Sequence, residues 1–214
     1  MTVDRPSFEL PASVAAYLSD PSVRTGVNAL LKVDRGSLPE GLELDELGQY
    51  VAARAAAELT WFEWTATLHG LWSLAWAGLE GGGWRPASLD DLQEAANVDP
   101  KTCWQEKQFT VYHTRDDLTL YTAIGTARRG VEIAFSIESE TEYLVEGNQG
   151  EFAWCDDSRW SGWLVATTAA PLGAPAFDPG DLVRLAGAAL ATAEEAARAH
   201  SSRPRRAGRT VRRS

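Results

Sequence analysis

Phe109-Thr-Val-Tyr-His-Thr-Arg-Asp-Asp-Leu-Thr-Leu-Tyr-Thr-Ala-Ile124 alternates between two sets of side chains, and that alternation decides the fold. Phe109, Val111 and His113 fall on one side, Thr110, Tyr112 and Thr114 on the other; beyond Arg115-Asp116-Asp117, Leu118, Leu120, Thr122 and Ile124 resume the pattern. A period of two on either side of a short polar turn predicts a β-hairpin. Ala127-Arg-Arg-Gly130 makes the next turn, after which Val131, Ile133, Phe135 and Ile137 alternate with Glu132, Ala134, Ser136 and Glu138 as a half-buried strand. Weaker strands are expected at Glu142–Val145 and Glu151–Cys155, and a last one at Trp160–Thr167. Turns this short exclude the crossovers that parallel pairing needs, so the sheet is read as an antiparallel meander of about five strands over residues 105–167.

Such a sheet has one face to cover, and the flanking sequence supplies helices. From Glu43 to Leu79 helix formers run almost unbroken to Glu80-Gly-Gly-Gly83, where glycine can take a left-handed cap. Trp61, Trp64, Leu68, Trp72 and Trp76 fall in a stripe about 120° wide at 100° per residue, a face built for burial. Alanines between Val51 and Ala57 allow a close neighbour. A helix of this length is unusual in a small domain, so a break near Thr60 or Gly70 is expected, giving Leu44–Leu59 and Thr60–Leu79. Shorter helices are expected from Pro11 to Asp20, within Val23–Val33 and at Ser88–Ala96. A C-terminal helix is expected from Asp178 as cap and Pro179 at the first position to about Ala199, with Leu182, Leu185, Ala186, Ala189, Ala193 and Ala197 inward. The expected class is α+β: one domain over residues 1–202, with helices at about 9–98, sheet at 105–167 and a C-terminal helix at 179–200. A basic, disordered tail at 203–214 is expected beyond it.

The 214 residues are enough for one self-sufficient core. Two cysteines, Cys103 and Cys155, are too few for a disulfide framework, which points to a reducing, cytoplasmic setting. The first ten residues carry Asp4, Arg5 and Glu9 and so lack a signal-peptide core. Leu59–Leu79 holds Glu63 and His69, and it reads as a buried helix in a protein without a membrane span. Seventeen arginines against three lysines, with abundant alanine, suggest a high-GC bacterial or phage gene.

Net charge is −10, but Arg203–Ser214 contains six arginines and no acid; what remains is fourteen basic against thirty acidic residues, a net −16. A body of that charge repels nucleic-acid phosphate and attracts basic surfaces. The arginine-rich tail has three readings: an appendage without a role, a nucleic-acid or acidic-surface contact, or a segment that folds back on the acidic body.

No catalytic set, metal site or cofactor loop is expected. The three histidines, His69, His113 and His200, fall in three elements, which does not suit a metal that needs converging ligands. His113, beside Asp116 and Asp117, is expected at the surface of the hairpin end. Asp156-Asp157 would raise the thiol pKa of Cys155, the opposite of what a nucleophile needs. Gly81-Gly82-Gly83 follows a helix and lacks the Gly-Lys-Ser/Thr ending of a phosphate loop. Glu138, Glu140 and Glu142 are expected as the solvated acids of a turn.

Nine tryptophans exceed what one small core requires. Trp154, Trp160 and Trp163, flanking a turn that contains Asp156 and Asp157, have no helical period that obliges burial. These five residues are the expected partner- or ligand-binding surface, tryptophan being common at interface hot spots. The expected function is a non-enzymatic protein-binding module of inhibitor, immunity or chaperone type, with a basic protein as the natural partner. The alternatives are a small-molecule protein with a tryptophan-lined pocket between sheet and helices, and an enzyme with an unrecognised carboxylate site.

Overall fold

Proline and aspartate punctuate the N-terminal helices of the computed structural model, which describes residues 9–33, 39–86, 108–127, 129–140, 142–156 and 160–202. Helix α1 (Ala12–Ser19) stops at Asp20, whose extended backbone (φ −109, ψ 112) is the conformation preferred before proline. The same Asp20 caps α2 (Pro21–Lys32) by accepting the Ser22 N–H at 2.7 Å. The expected helix at Ser88–Ala96, together with Cys103, Trp104, Asp157 and the tail 203–214, lies outside the described residues.

Helix α3 (Leu44–Ala75) begins at a capping box in which the Glu43 N–H donates to the Glu46 carboxylate at 3.0 Å. It runs 32 residues without the break expected at Thr60 or Gly70. Thr60 is accommodated because its hydroxyl donates back to the Ala56 carbonyl at 2.8 Å. Gly70 costs about 1 kcal/mol relative to alanine, less than the burial of Trp64, Leu68 and Leu71 on either side of it contributes. The α-helix ends at Trp76, and a 3-10 segment, Ala77–Gly82, carries the chain to Gly83 in the left-handed region (φ 72). Trp64 and Trp76 are buried while Trp61 and Trp72 pack half-buried against the same core, so the tryptophan stripe is core.

The strands are β1 (Arg85–Pro86), β2 (Gln108–Arg115), β3 (Leu118–Thr126), β4 (Val131–Ser139), β5 (Ala153–Cys155) and β6 (Trp163–Thr167). All pairs are antiparallel, in the order β1-β2-β3-β4-β6-β5. The β2–β3 turn is the two residues Asp116-Asp117, with Asp116 at φ 55 as a tight hairpin requires. The meander order holds through β4; β6 then inserts beside β4 and leaves the three-residue β5 at the edge. The expected strand Glu142–Val145 amounts to a bridge between Tyr143 and Glu138, with Leu144 N–H donating to Ile137 at 2.9 Å.

The inner face of the sheet presents Val111, Leu120, Ile124, Ile133, Phe135, Ile137 and Leu164 to the helices, all buried. Helix α4 (Pro179–Ser202) starts on Asp178, which accepts the Gly180 N–H at 2.8 Å. It buries Leu182, Leu185, Ala186, Ala189, Ala193 and Ala197, the face its sequence predicts. No helix among the described residues is long and apolar enough to cross a membrane.

Candidate functional site on the outer sheet face

Away from the helices, pleating brings a row of aromatic rings together. Tyr112 pairs with Tyr121 and Tyr121 with Ser136, so three neighbouring strands place them side by side. Their ring centroids lie 6.0 Å apart for Tyr112–Tyr121, 5.9 Å for Tyr121–Trp163 and 5.5 Å for Trp163–Trp160. Ser136 is small enough that Tyr121 and Trp163 meet across β4. One step along the strands, Ala123 and Ala134 are fully buried beneath Trp160, with Cys155, Trp163 and Val165 around it. Trp160 is itself only 3% exposed, and its Nε1–H donates to the Glu132 carboxylate at 3.0 Å.

At the end of this face nearest the Asp116-Asp117 turn lies a cleft of about 330 Å³ lined by Asp117, Thr119, Glu138, Ser139, Glu140, Glu142 and Tyr143. Tyr121 reaches one carboxylate of the cleft, Glu138. Burial first, then a hydrogen bond and the negative charge of Glu138, push its hydroxyl up to about 12. Glu140 and Glu142 are exposed on the turn expected there, which is closed by the Ser139 N–H donating to the Glu142 carbonyl at 2.9 Å, and with the half-buried Glu138 they line this open cleft. Among the described residues no cluster of His, Cys, Asp or Glu can hold a metal ion.

The expected surface is divided between the two faces. Trp163 is on the outer face, half-buried. Trp160 is on it too, but as the cover of a small second core, because two alanines beneath it leave room for an indole. Trp154 pairs with Leu164, points to the inner side and packs on the main core. Its Nε1–H donates to the exposed Asp156 at 2.9 Å, and its ring meets Tyr143 edge-on at 5.9 Å. Asp157 lies outside the described residues. Tyr112 and Tyr121 are the additions, and the signal for them is the turn: two residues at Asp116-Asp117 force Arg115 opposite Leu118 and hence Tyr112 opposite Tyr121.

His113 is buried, against the expectation of a surface position, because it shares the inward set of β2 with Val111. Its ring stacks on Trp72 at 5.8 Å and 2°. Thr122 accepts the Trp72 indole N–H at 3.1 Å and gives its own proton to the Val111 carbonyl at 3.1 Å. Its contact with His113 Nε2 at 3.4 Å thus requires an Nε2–H. Nδ1 is left as a buried acceptor with no partner among the described residues. Burial lowers His113 to a pKa of about 4.

A further apolar surface lies on α3, where Leu44, Val51, Leu59 and Phe62 are exposed along one side and Phe62 is 66% accessible. No protein-family model, curated protein or solved structure matches the chain.

Proposed function

We propose that this chain is a non-enzymatic, acidic protein-binding module of inhibitor, immunity or chaperone type, and that it engages a basic protein partner on the outer sheet face. The observation that carries the reading is the Tyr112–Tyr121–Trp163 row with the carboxylate cleft beside it, one step along the strands from Tyr121. Arginine and lysine side chains gain from lying over aromatic rings and from a carboxylate at the far end of the stack. The molecule holds one of its own arginines in this way: Arg115 lies 4.2 Å from the Trp84 ring centre and 2.7 Å from Glu194. The excess of acid over base in the body adds long-range attraction for a basic surface.

A cytoplasmic protein of bacterial or phage origin is the setting proposed for it. The arginine and alanine bias and the small number of cysteines support that setting.

Affinity capture from the native host, with the bound proteins identified by mass spectrometry, tests the reading against a Tyr121→Ala/Trp163→Ala variant. A basic protein held by the wild type should bind the variant about tenfold or more weakly, as loss of two interface aromatics implies. Its retention should also fall steeply with salt. Undiminished capture by the folded variant would place the partner elsewhere, with the exposed side of α3 the first alternative.

A further inference from the structure

The C-terminal end of α4 comes to the rim of the acidic cleft. His200, two residues before the helix ends at Ser202, places its Nε2 3.5 Å from the Asp117 carboxylate, and Asp117 is one of the residues lining the cleft. The sequence that follows, Arg203-Pro-Arg-Arg-Ala-Gly-Arg-Thr-Val-Arg-Arg-Ser214, has six arginines and no acidic side chain. The most basic segment of the chain thus begins beside the acidic cleft.

We propose that segment 203–214 is an intramolecular ligand of the outer sheet face, seating arginines among Asp117, Glu138, Glu140 and Glu142 and against the rings of Tyr143 and Tyr121. Reach is sufficient, since twelve residues extend up to about 40 Å and the cleft begins next to the helix end. A covalent tether this short gives an effective concentration in the millimolar range. A contact of modest intrinsic affinity is therefore occupied. Exposed charges are screened over about 10 Å at 0.1 M salt, so the docked segment is released as ionic strength rises. The chemistry is that of Arg115 over Trp84 with Glu194, repeated with several guanidinium groups. The regulatory consequence rests on the partner-binding reading above: the segment occupies the surface a basic partner needs, and such a partner must displace it. The contact itself does not depend on that reading.

Trypsin cleavage of the full-length chain in low salt provides the test, because docked arginines are shielded from the protease. Three full-length proteins are compared: wild type, a Glu140→Gln/Glu142→Gln variant in which two exposed carboxylates of the cleft are neutralised, and a variant with all six tail arginines replaced by glutamine. Circular dichroism and unfolding midpoints verify that all three are folded. The expected result is cleavage within 203–214 at least fivefold faster in the Glu140→Gln/Glu142→Gln protein than in wild type, with the difference vanishing at 0.5 M NaCl.

A hexa-arginine peptide is then titrated in as a basic probe. It should bind the arginine-to-glutamine variant about tenfold more tightly than wild type. Shielding without binding of the probe to any of the proteins would uphold the tail contact while overturning competition with a basic ligand. Equal cleavage rates, with the probe binding wild type and the arginine-to-glutamine variant alike, would overturn the tail contact and leave the partner reading standing. Equal cleavage rates with a DNA oligonucleotide bound only by chains that keep the tail arginines would overturn it in favour of a nucleic-acid contact.

Discussion

His113 is the residue at which burial and protonation conflict most directly. Its ordinary pKa is about 6.5, and burial beneath Trp72 lowers it to about 4. Between these values the unfolded chain binds a proton that the folded chain refuses, so stability falls as pH drops from 6.5 to 4 and is unaffected above that window. A shift of this size corresponds to about 3 kcal/mol at the acid end. His113→Phe keeps a flat ring on Trp72 and removes the titration. Unfolding free energies from urea titrations between pH 7 and pH 4 should fall less for the variant than for wild type by about that amount, and parallel curves would disprove the assignment. That His113 is inward was legible in the alternation with Val111. The pull of the opposite expectation came from Asp116 and Asp117, which are neighbours in sequence but turn away at the hairpin end. Trp160 shows the complementary difficulty: what buries it is the pair Ala123 and Ala134 from two other strands, a juxtaposition fixed by register alone.

Among the elements, α3 shows why propensity misplaces a helix end. Gly48 and Gly70 are both poor helix formers, yet both lie on the exposed side and neither has an atom within 4 Å of where a Cβ would sit. Nothing in the fold requires glycine at either position, so its only effect is the entropy of the unfolded chain. Gly48→Ala and Gly70→Ala should each raise the unfolding free energy by about 0.5–1 kcal/mol, measured by denaturant titration. Destabilisation by Gly70→Ala would mean that the helix bends there in solution. The inward tryptophan stripe of α3, the β2–β3–β4 meander and the inward face of α4 are readable because their periods are local, whereas the continuity of α3 across Thr60 and Gly70 is not. Nor is the position of β6 between β4 and β5. It depends on Leu164 and Ala166 finding Phe135 and Ile133, thirty residues away in the chain, and no local period encodes that choice.

Across the whole molecule, one cluster ties together layers that lie far apart in sequence. Arg115, at the end of β2, donates to the Gly82 carbonyl of the 3-10 segment and to Glu194 of α4, each at 2.7 Å, while lying over Trp84. The Trp84 indole N–H donates to the same Glu194 oxygen at 2.7 Å. Sheet, helix end and C-terminal helix are therefore joined at one carboxylate. Burial pushes the Glu194 carboxyl upward, but the hydrogen bonds from Arg115 and Trp84 and the guanidinium charge outweigh it and hold the pKa below the usual value. The sign of the linkage follows. A carboxylate depressed in the folded state contributes stability that is present above its unfolded pKa, about 4.3, and lost as pH falls through the folded value. Glu194→Ala leaves a guanidinium and an indole N–H short of their acceptor, at a cost of about 2 kcal/mol. Glu194→Gln retains an oxygen for Trp84 and Arg115 without the charge and should cost less. Unfolding at pH 7 should rank wild type above the glutamine variant and that above the alanine variant, with the gap between the first two closing below pH 4. An alanine variant as stable as wild type would show that the layers are held by apolar packing alone, and an unchanged gap at low pH would show that the charge of Glu194 has no part in it.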